Sequence, residues 1–408
     1  MTDATEQLVL RPVTAAEYAA WFSAVVRQFG GDVHDEDVAA SRAFMELDRT
    51  LAVFDRDEIV ATAAVLGFTM TLPGGRQVPC AGVTDVGVRT THRRRGLLRR
   101  MMRRQLADVH DRGEPLAALL ASESGIYGRF GYGPSTPTLN LAIDSPWARL
   151  DRPVEPGGIR LVDARTALAR CPAIHAQVQR TQPGMLSRSP AHWQLWLGRD
   201  PEHYRDGYTA RYHALFGDRG YVVYRLKDDW RDNAPAGRLR VLELVAADPE
   251  AAAALWQYCF SVDLVATVEA ELRPADEPLV HLLAEPTRLR VTAGEPLYTR
   301  LVSVPDALRA RSYAAAGSLV LDVRDDACPW NTGRWRLEAT PDGATCEATR
   351  DTADVTLDVV ELGTAYLGGV RLARLARARR LEAHTAGALA TADAMFATEP
   401  LPWNSFSF

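Results

Sequence analysis

At 408 residues the chain exceeds a single hydrophobic core and reads as roughly two to four domains. Hydrophobic residues make up 47% and charged residues 24%, which excludes wholesale disorder, and the formal net charge of −5 excludes a global field attracting nucleic acid or anionic lipid. No run approaches the roughly 18 apolar residues of a membrane span, and the opening MTDATEQLVLRP lacks an export signal, so a cytoplasmic protein is expected.

Val13 to Phe29 carries apolar residues at helical spacing, and LAVF (51 to 54) with IVATAAVLGFTM (59 to 70) reads as two strands across a DRDE turn. Pro73-Gly74-Gly75 is a hairpin turn, and VPCAGVTDVGV (78 to 88) is the next strand. The segment 89 to 113 follows, with Leu97, Leu98, Met101, Met102, Leu106 and Val109 spaced as one face of an amphipathic helix that Gly113 ends. PLAALLAS (115 to 122) is apolar throughout, as a strand inside a sheet should be, and GIYGRFGYGP (125 to 134) is a glycine-rich turn.

DRPVEPGG (151 to 158) reads as a linker. A second block, 151 to 302, has strands at 221 to 226 and 238 to 246 and a helix at 249 to 260, the order of a second α/β unit. It lacks a counterpart of the arginine and glycine turn after residue 88, so no nucleotide is expected there. The third block, 303 to 408, opens with a helix at 304 to 317. Four alternating strands follow, then helices at roughly 359 to 380 and 384 to 397, and the chain ends in LPWNSFSF (401 to 408). An aromatic end is unusual because free termini fray into water; the plain reading is a terminus docked for stability.

Lys227 is the only lysine, so 46 of the 47 basic residues are arginine and one arginine alone says little. Eight of them nevertheless fall between Arg89 and Arg104 with no acid among them, the densest group being Arg93-Arg94-Arg95-Gly96 at the step from strand to helix. Helix-start amides lack internal partners and the macrodipole is positive there, so a pyrophosphate can be held by backbone N–H groups with guanidiniums adding charge-assisted contacts. The alternatives are a solvated basic helix face and a nucleic-acid stripe, the latter without interleaved aromatics in an acidic chain. The five cysteines, scattered without a C-x-x-C pair, predict neither a disulfide framework nor zinc, and the dispersed histidines predict no metal.

VGV (86 to 88) followed by RRRGLL (93 to 98) resembles the acetyl-CoA turn of the GNAT acyltransferases, with Leu98 where the pattern has Gly or Ala. Together with ASESGIYGRFGYGP (121 to 134), the three-block layout and the terminal Phe, the whole chain resembles the Eis (enhanced intracellular survival) family of acetyltransferases. The resemblance implies a mixed α/β chain: an N-terminal GNAT domain (1 to 150), a second GNAT-like domain without cofactor (151 to 302), and an α+β domain similar to sterol carrier proteins (303 to 408). It also implies a homohexamer built as a trimer of dimers, with acetyl-CoA as co-substrate and no metal, nucleic acid or membrane span. Val86, Gly87 and Val88 would line the pantetheine, and Arg94, Arg95, Gly96, Leu97, Leu98 and Arg99 would surround the phosphates. Ser122 and Glu123 would complete the pocket, Tyr127 would be the general acid, and the carboxylate of Phe408 the general base.

Those roles are chemically coherent. A lysine-like amine with a pKa near about 10.4 must lose a proton to attack a thioester, and a departing thiolate near about 8.5 can take one from a phenol near about 10. Amides near Val88 can serve the oxyanion. Tyr132 competes with Tyr127 for the donor role. An α-carboxyl near about 3.5 is a weak base, which burial beside Trp403, Phe406 and Phe408 would strengthen.

The implied acceptors are primary amines of polycationic molecules such as aminoglycosides, or lysine and peptide amines, in an acidic and partly apolar cleft. Candidate acids are Asp32, Asp35, Glu36 and Glu295, and candidate walls Phe22, Phe29, Trp193 and Trp196. Two departures bear on acceptor choice: Ser407 stands where the family has an acid, and Asp85 where it has an aromatic. The rival function is a lipid or sterol binding protein with a vestigial acyltransferase domain.

Overall fold

In the computed structural model, which describes residues 8 to 155 and 157 to 408, the alternating apolar segments sort into three main sheets. The first has seven strands in the order Leu8–Arg11, Thr50–Asp55, Glu58–Thr71, Gln77–Val88, Leu116–Leu120, Leu297–Leu301 and Gly133–Thr136. Glu58–Thr71 is buried almost throughout because both faces are covered. On one face Ala64, Leu66, Phe68 and Met70 share a core with Trp21 and Val25 of the helix Tyr18–Gln28. On the other, Val60, Ala61 and Ala63 meet Leu97 and Met101 of the helix Leu97–Asp111. The apolar stripe of that helix packs as its spacing predicts. The five cysteines are buried free thiols.

The second sheet runs Arg290–Ala293, Thr138–Asp144, Val265–Pro274, Gly237–Ala246, Gly220–Lys227, Tyr212–Phe216 and Ile159–Val162, with Ala164–Gln179 and Pro249–Phe260 as its long helices. The two sheets exchange strands. Boundaries drawn at 150 and 302 group 138 to 144 with the first unit and 297 to 301 with the second, whereas hydrogen bonding seats each in the other sheet. Pattern alone is blind to this, because an apolar strand reads the same whichever sheet completes it.

The third sheet, Gly343–Ala348, Gly333–Thr340, Gly317–Arg324, Val355–Asp358 and Leu381–Ala383, departs from the expected helices at two places. The helix opening the block is Val304–Ala310, shorter than 304 to 317, because Arg311 turns extended. Its buried guanidinium donates to the carbonyls of Tyr366 and Phe396 at the ends of the helices Val359–Tyr366 and Ala388–Phe396. The span 359 to 380 breaks at Gly368-Gly369 into Val359–Tyr366 and Leu372–Arg377. Among the described residues no helix is long and apolar enough to cross a membrane.

Candidate active site

Two features of the first sheet create a gap. Gln77–Val88 pairs in parallel with Leu116–Leu120 only over Cys80 to Gly82, so beyond Gly82 those strands part. On its other side, Thr62 pairs with Gly87 and Ala64 with Thr84, so Asp85 and Val86 stand against the single residue Ala63, a bulge. Asp85 takes the left-handed conformation (φ 55°), rare for a non-glycine residue, with its carbonyl accepting from Thr62 Oγ1 at 2.9 Å.

Into this gap opens a cleft of about 930 Å³ lined by Val86, Gly87, Val88, Arg94, Gly96, Leu97, Leu98, Arg99, Ser122, Glu123 and Tyr127. Of the residues predicted to hold cofactor, Arg95 alone is outside this lining. Sequence reasoning passed over Gln28, Ile126 and Arg129, which also line it, since no motif marks a residue that contributes only by position. The helix starts at Leu97 without a side-chain cap, its preceding Gly96 at φ 78°. No atom lies within 4 Å of where a Gly96 side chain would begin, so the turn is open to an anion. Leu97 is buried and Leu98 packs, like Val86, against the core that Leu97 and Met101 form with the sheet, which accommodates leucine where the pattern has a small residue.

Arginines of the run divide by task. Arg93, Arg94 and Arg99 line the cleft, whereas Arg100 donates to the Leu8 carbonyl, Arg104 pairs with Asp108, and Arg89 with Glu58. His92 also lines it, with Nε2 3.1 Å from Asp55. Tyr127 ends the one-turn helix Ser124–Tyr127 and is 8% exposed. Burial, helped by the Glu123 charge, raises its pKa, keeping the phenol protonated at neutral pH. Tyr132, its edge-on neighbour at 6.2 Å, is completely buried and not part of the lining. Of the two tyrosines, the one the family resemblance favoured, Tyr127, lines the cleft and Tyr132 does not.

Phe408 is elsewhere. It lines a neighbouring cavity of about 500 Å³, with Phe22, Phe44, Leu66, Thr84, Asp85, Trp196 and Phe406. Both cavities take wall residues from the strand Gln77–Val88, Thr84 and Asp85 for the smaller and Val86 to Val88 for the larger, and from the helix Tyr18–Gln28, Phe22 for the smaller and Gln28 for the larger. A Cβ on Gly82 would meet the Phe408 ring at 3.0 Å and Phe68 at 2.2 Å, so only glycine leaves a seat for the terminal ring. The terminus is anchored along its length. Trp403 Nε1 donates to the Leu272 carbonyl at 2.6 Å, Leu186 N–H to Asn404 Oδ1 at 3.1 Å, and Ser405 Oγ to Glu243 Oε1 at 2.6 Å. Glu243 also accepts both ends of the Arg188 fork, at 2.6 and 3.1 Å. The Arg188 guanidinium lies 4.6 Å from the Trp193 ring centre and 4.0 Å from that of Phe406.

The acids suggested by sequence for the acceptor lie outside both cavities. Asp32, Asp35, Glu36 and Glu295 contribute to neither lining, whereas Asp37, Asp85 and Glu271 line the smaller cavity. On the helix Asp35–Arg42 it is Asp37 that turns inward, bound to Arg199 at 2.6 Å and His203 at 2.9 Å. Glu36, Asp37 and His203 are close enough to share a cation, a charge Arg199 already supplies. Of the suggested walls, Phe22 and Trp196 line the smaller cavity and Phe29 the larger, while Trp193 is buried in the second core.

Burial alone raises the Asp85 pKa from 3.8 to about 6. The unfolded chain loses this proton near the ordinary value while the folded chain keeps it, so stability falls as pH climbs from about 4 to about 6 and the penalty persists above that. Such a displacement corresponds to about 3 kcal/mol. Asp85→Asn is therefore expected to stabilise the protein at pH 7.5 and change little at pH 4 in urea unfolding. An equal effect at both pH values would contradict the assignment.

Comparison with known proteins agrees with this architecture. Models described as "Acetyltransferase (GNAT) domain" match residues 9–135 and 184–301, and one described as "Sterol carrier protein domain" matches 304–405. The chain is 33% identical over 408 residues to the N-acetyltransferase Eis of Mycobacterium tuberculosis, covering 97% of this chain and 98% of that protein. It is 41% identical to an uncharacterized N-acetyltransferase of Streptomyces avermitilis, covering 98% and 99%. The crystal structure of Eis1 from Mycobacterium abscessus superposes with a TM-score of 0.86 at 34% identity, over 98% of this chain and all of that one. Two acetyltransferase folds with exchanged strands, a cleft at the arginine turn and a sterol-carrier-like third domain, matched end to end by these relatives, make the chain an N-acetyltransferase of the Eis family.

Proposed function

We propose that this enzyme transfers the acetyl group of acetyl-CoA to primary amines of acceptors that carry several of them, such as aminoglycoside-like molecules or lysine and peptide amines. Tyr127 is the general acid and the Phe408 carboxylate the general base. The observation that carries the reading is the pair of cavities that share wall elements at the bulged end of Gln77–Val88, one lined by the helix start and Tyr127, the other by the anchored terminus. The residues fit the co-substrate: an uncapped helix start with open space at Gly96 suits a diphosphate, with Arg94 and Arg99 beside it and the Val86 to Val88 backbone along the pantetheine arm. When bound, acetyl-CoA supplies an activated acyl group as a thioester.

The chain's own groups do the rest. The backbone near Val88 offers N–H donors to the developing oxyanion, the terminal carboxylate accepts the proton released by the amine, and the Tyr127 hydroxyl gives one to the departing sulfur. Release of free thiol from acetyl-CoA across aminoglycosides, polyamines and lysine peptides tests cofactor and acceptor together; no release with any amine would refute the proposal. Tyr127→Phe is expected to lower turnover by about 10²-fold while acetyl-CoA affinity is retained, since the ring that lines the cleft remains. Turnover equal to the parent's would remove Tyr127 from the chemistry.

A further inference from the structure

Asp85 stands at the bulge that supplies wall residues to both cavities, held in a left-handed conformation. Backbone outliers of this kind persist where the surroundings over-determine them and point toward function. Asp85 lines the 500 Å³ cavity, and among the described residues no hydrogen bond or ion pair is made by its carboxylate. The other acids of that cavity are differently placed: Asp37 is bound by Arg199 and His203, and Glu271 is exposed. The cations are numerous. Arg188, Arg199, Arg211 and Arg240 all line the cavity, each within 4 Å of an acid, Glu243, Asp37, Asp200 and Asp206 respectively. Burial lowers the Arg211 pKa to about 10, so Arg211 still carries its charge at neutral pH. The rest of the wall is apolar and aromatic, including Phe22, Phe44, Leu66, Trp196, Phe406 and Phe408.

A polycation drawn wholly into this space would lose its water among aromatic walls and guanidiniums that already have acidic partners, and find two carboxylates in the lining that no described residue engages, Asp85 and the exposed Glu271. A single ammonium ion on an apolar stem meets none of that cost: the stem covers aromatic surface and the charge finds a partner. Resting on the acetyltransferase reading above, we infer that Asp85 selects the acceptor, a primary amine on an apolar, aromatic or branched stem, by pairing with one ammonium ion inside the cavity, while any further cationic groups stay outside.

Calorimetric titration of the full chain without acetyl-CoA tests this directly. The probes are 2-phenylethylamine, its neutral counterpart 2-phenylethanol, and spermidine. The parent should bind 2-phenylethylamine more tightly than spermidine. Asp85→Asn should weaken 2-phenylethylamine binding at least about tenfold, equivalent to about 1.4 kcal/mol, and leave 2-phenylethanol unchanged. Arg240→Gln should strengthen spermidine binding. Undiminished binding of 2-phenylethylamine by Asp85→Asn, equal loss of the amine and the alcohol, or tighter binding of spermidine than of 2-phenylethylamine by the parent would each overturn the inference. Thiol release with the same amines separates the two proposals. Asp85-dependent binding without turnover counts against acetyl transfer, and turnover of polyamines without Asp85-dependent binding counts against the selection.

Discussion

Removing Phe408 is expected to reduce turnover at least about 10²-fold while acetyl-CoA affinity stays at the parent value. The deletion moves the terminal carboxylate back by one residue, up to about 3.5 Å along an extended chain, and catalytic groups misplaced by even about 1 Å can cost 10²-fold. It also empties the aromatic seat over Gly82, where Phe408 lies 4.9 Å from the Phe68 ring centre. A semisynthetic chain ending in Phe408 amide separates these effects, because it keeps the ring and removes the charge. If the carboxylate is the base, amide and deletion fall together. An amidated enzyme as fast as the parent would leave the terminus a purely structural role.

Arg188→Ala should have the largest effect on stability. The Arg188 and Glu243 side chains are 2% and 1% exposed, so truncation strands a buried carboxylate, and breaking such a pair costs about 3 to 5 kcal/mol. Replacing both partners by Met is expected to be much less harmful, since no charge is then left alone. Both variants should lose turnover, because Ser405 loses its acceptor in the double variant and Phe406 loses the guanidinium over its ring in both. Urea unfolding in parallel with thiol release checks this. A single variant no less stable than the double would show that the ion pair is not what makes the site sensitive.

How far the site is legible in sequence depends on how local each contributor is. The arginine turn is a local object: a valine-rich strand, a glycine and an amphipathic helix in one run of residues, so 86 to 99 could be singled out without coordinates, their individual roles coming from the family resemblance. Ser122, Glu123 and Tyr127 follow on the next strand and turn. Tyr127 ranked above Tyr132 on family resemblance alone; burial adds a physical difference between residues five apart in the same glycine-rich segment. Which acids line a cavity is hidden from sequence for a related reason. Glu36 and Asp37 are neighbours in sequence, and only helix phase against Arg199 and His203 decides which turns inward. Arg311 shows the same effect on the fold: its helical pattern runs on, but two distant carbonyl ends recruit the guanidinium and stop the helix.

What the sequence alone determined was therefore the set of elements built from contiguous periodicity, the arginine turn among them, and an aromatic chain end that had to be docked. Tertiary structure decided everything that joins distant segments: the strands exchanged between the two acetyltransferase sheets, the Arg188 and Glu243 anchor that carries the last residues to Gly82, and the bulge that sets Asp85 in the wall of the smaller cavity. The physical reason is that periodicity reports which side of an element is apolar, whereas the identity of the surface meeting that side is settled only when the whole chain has packed.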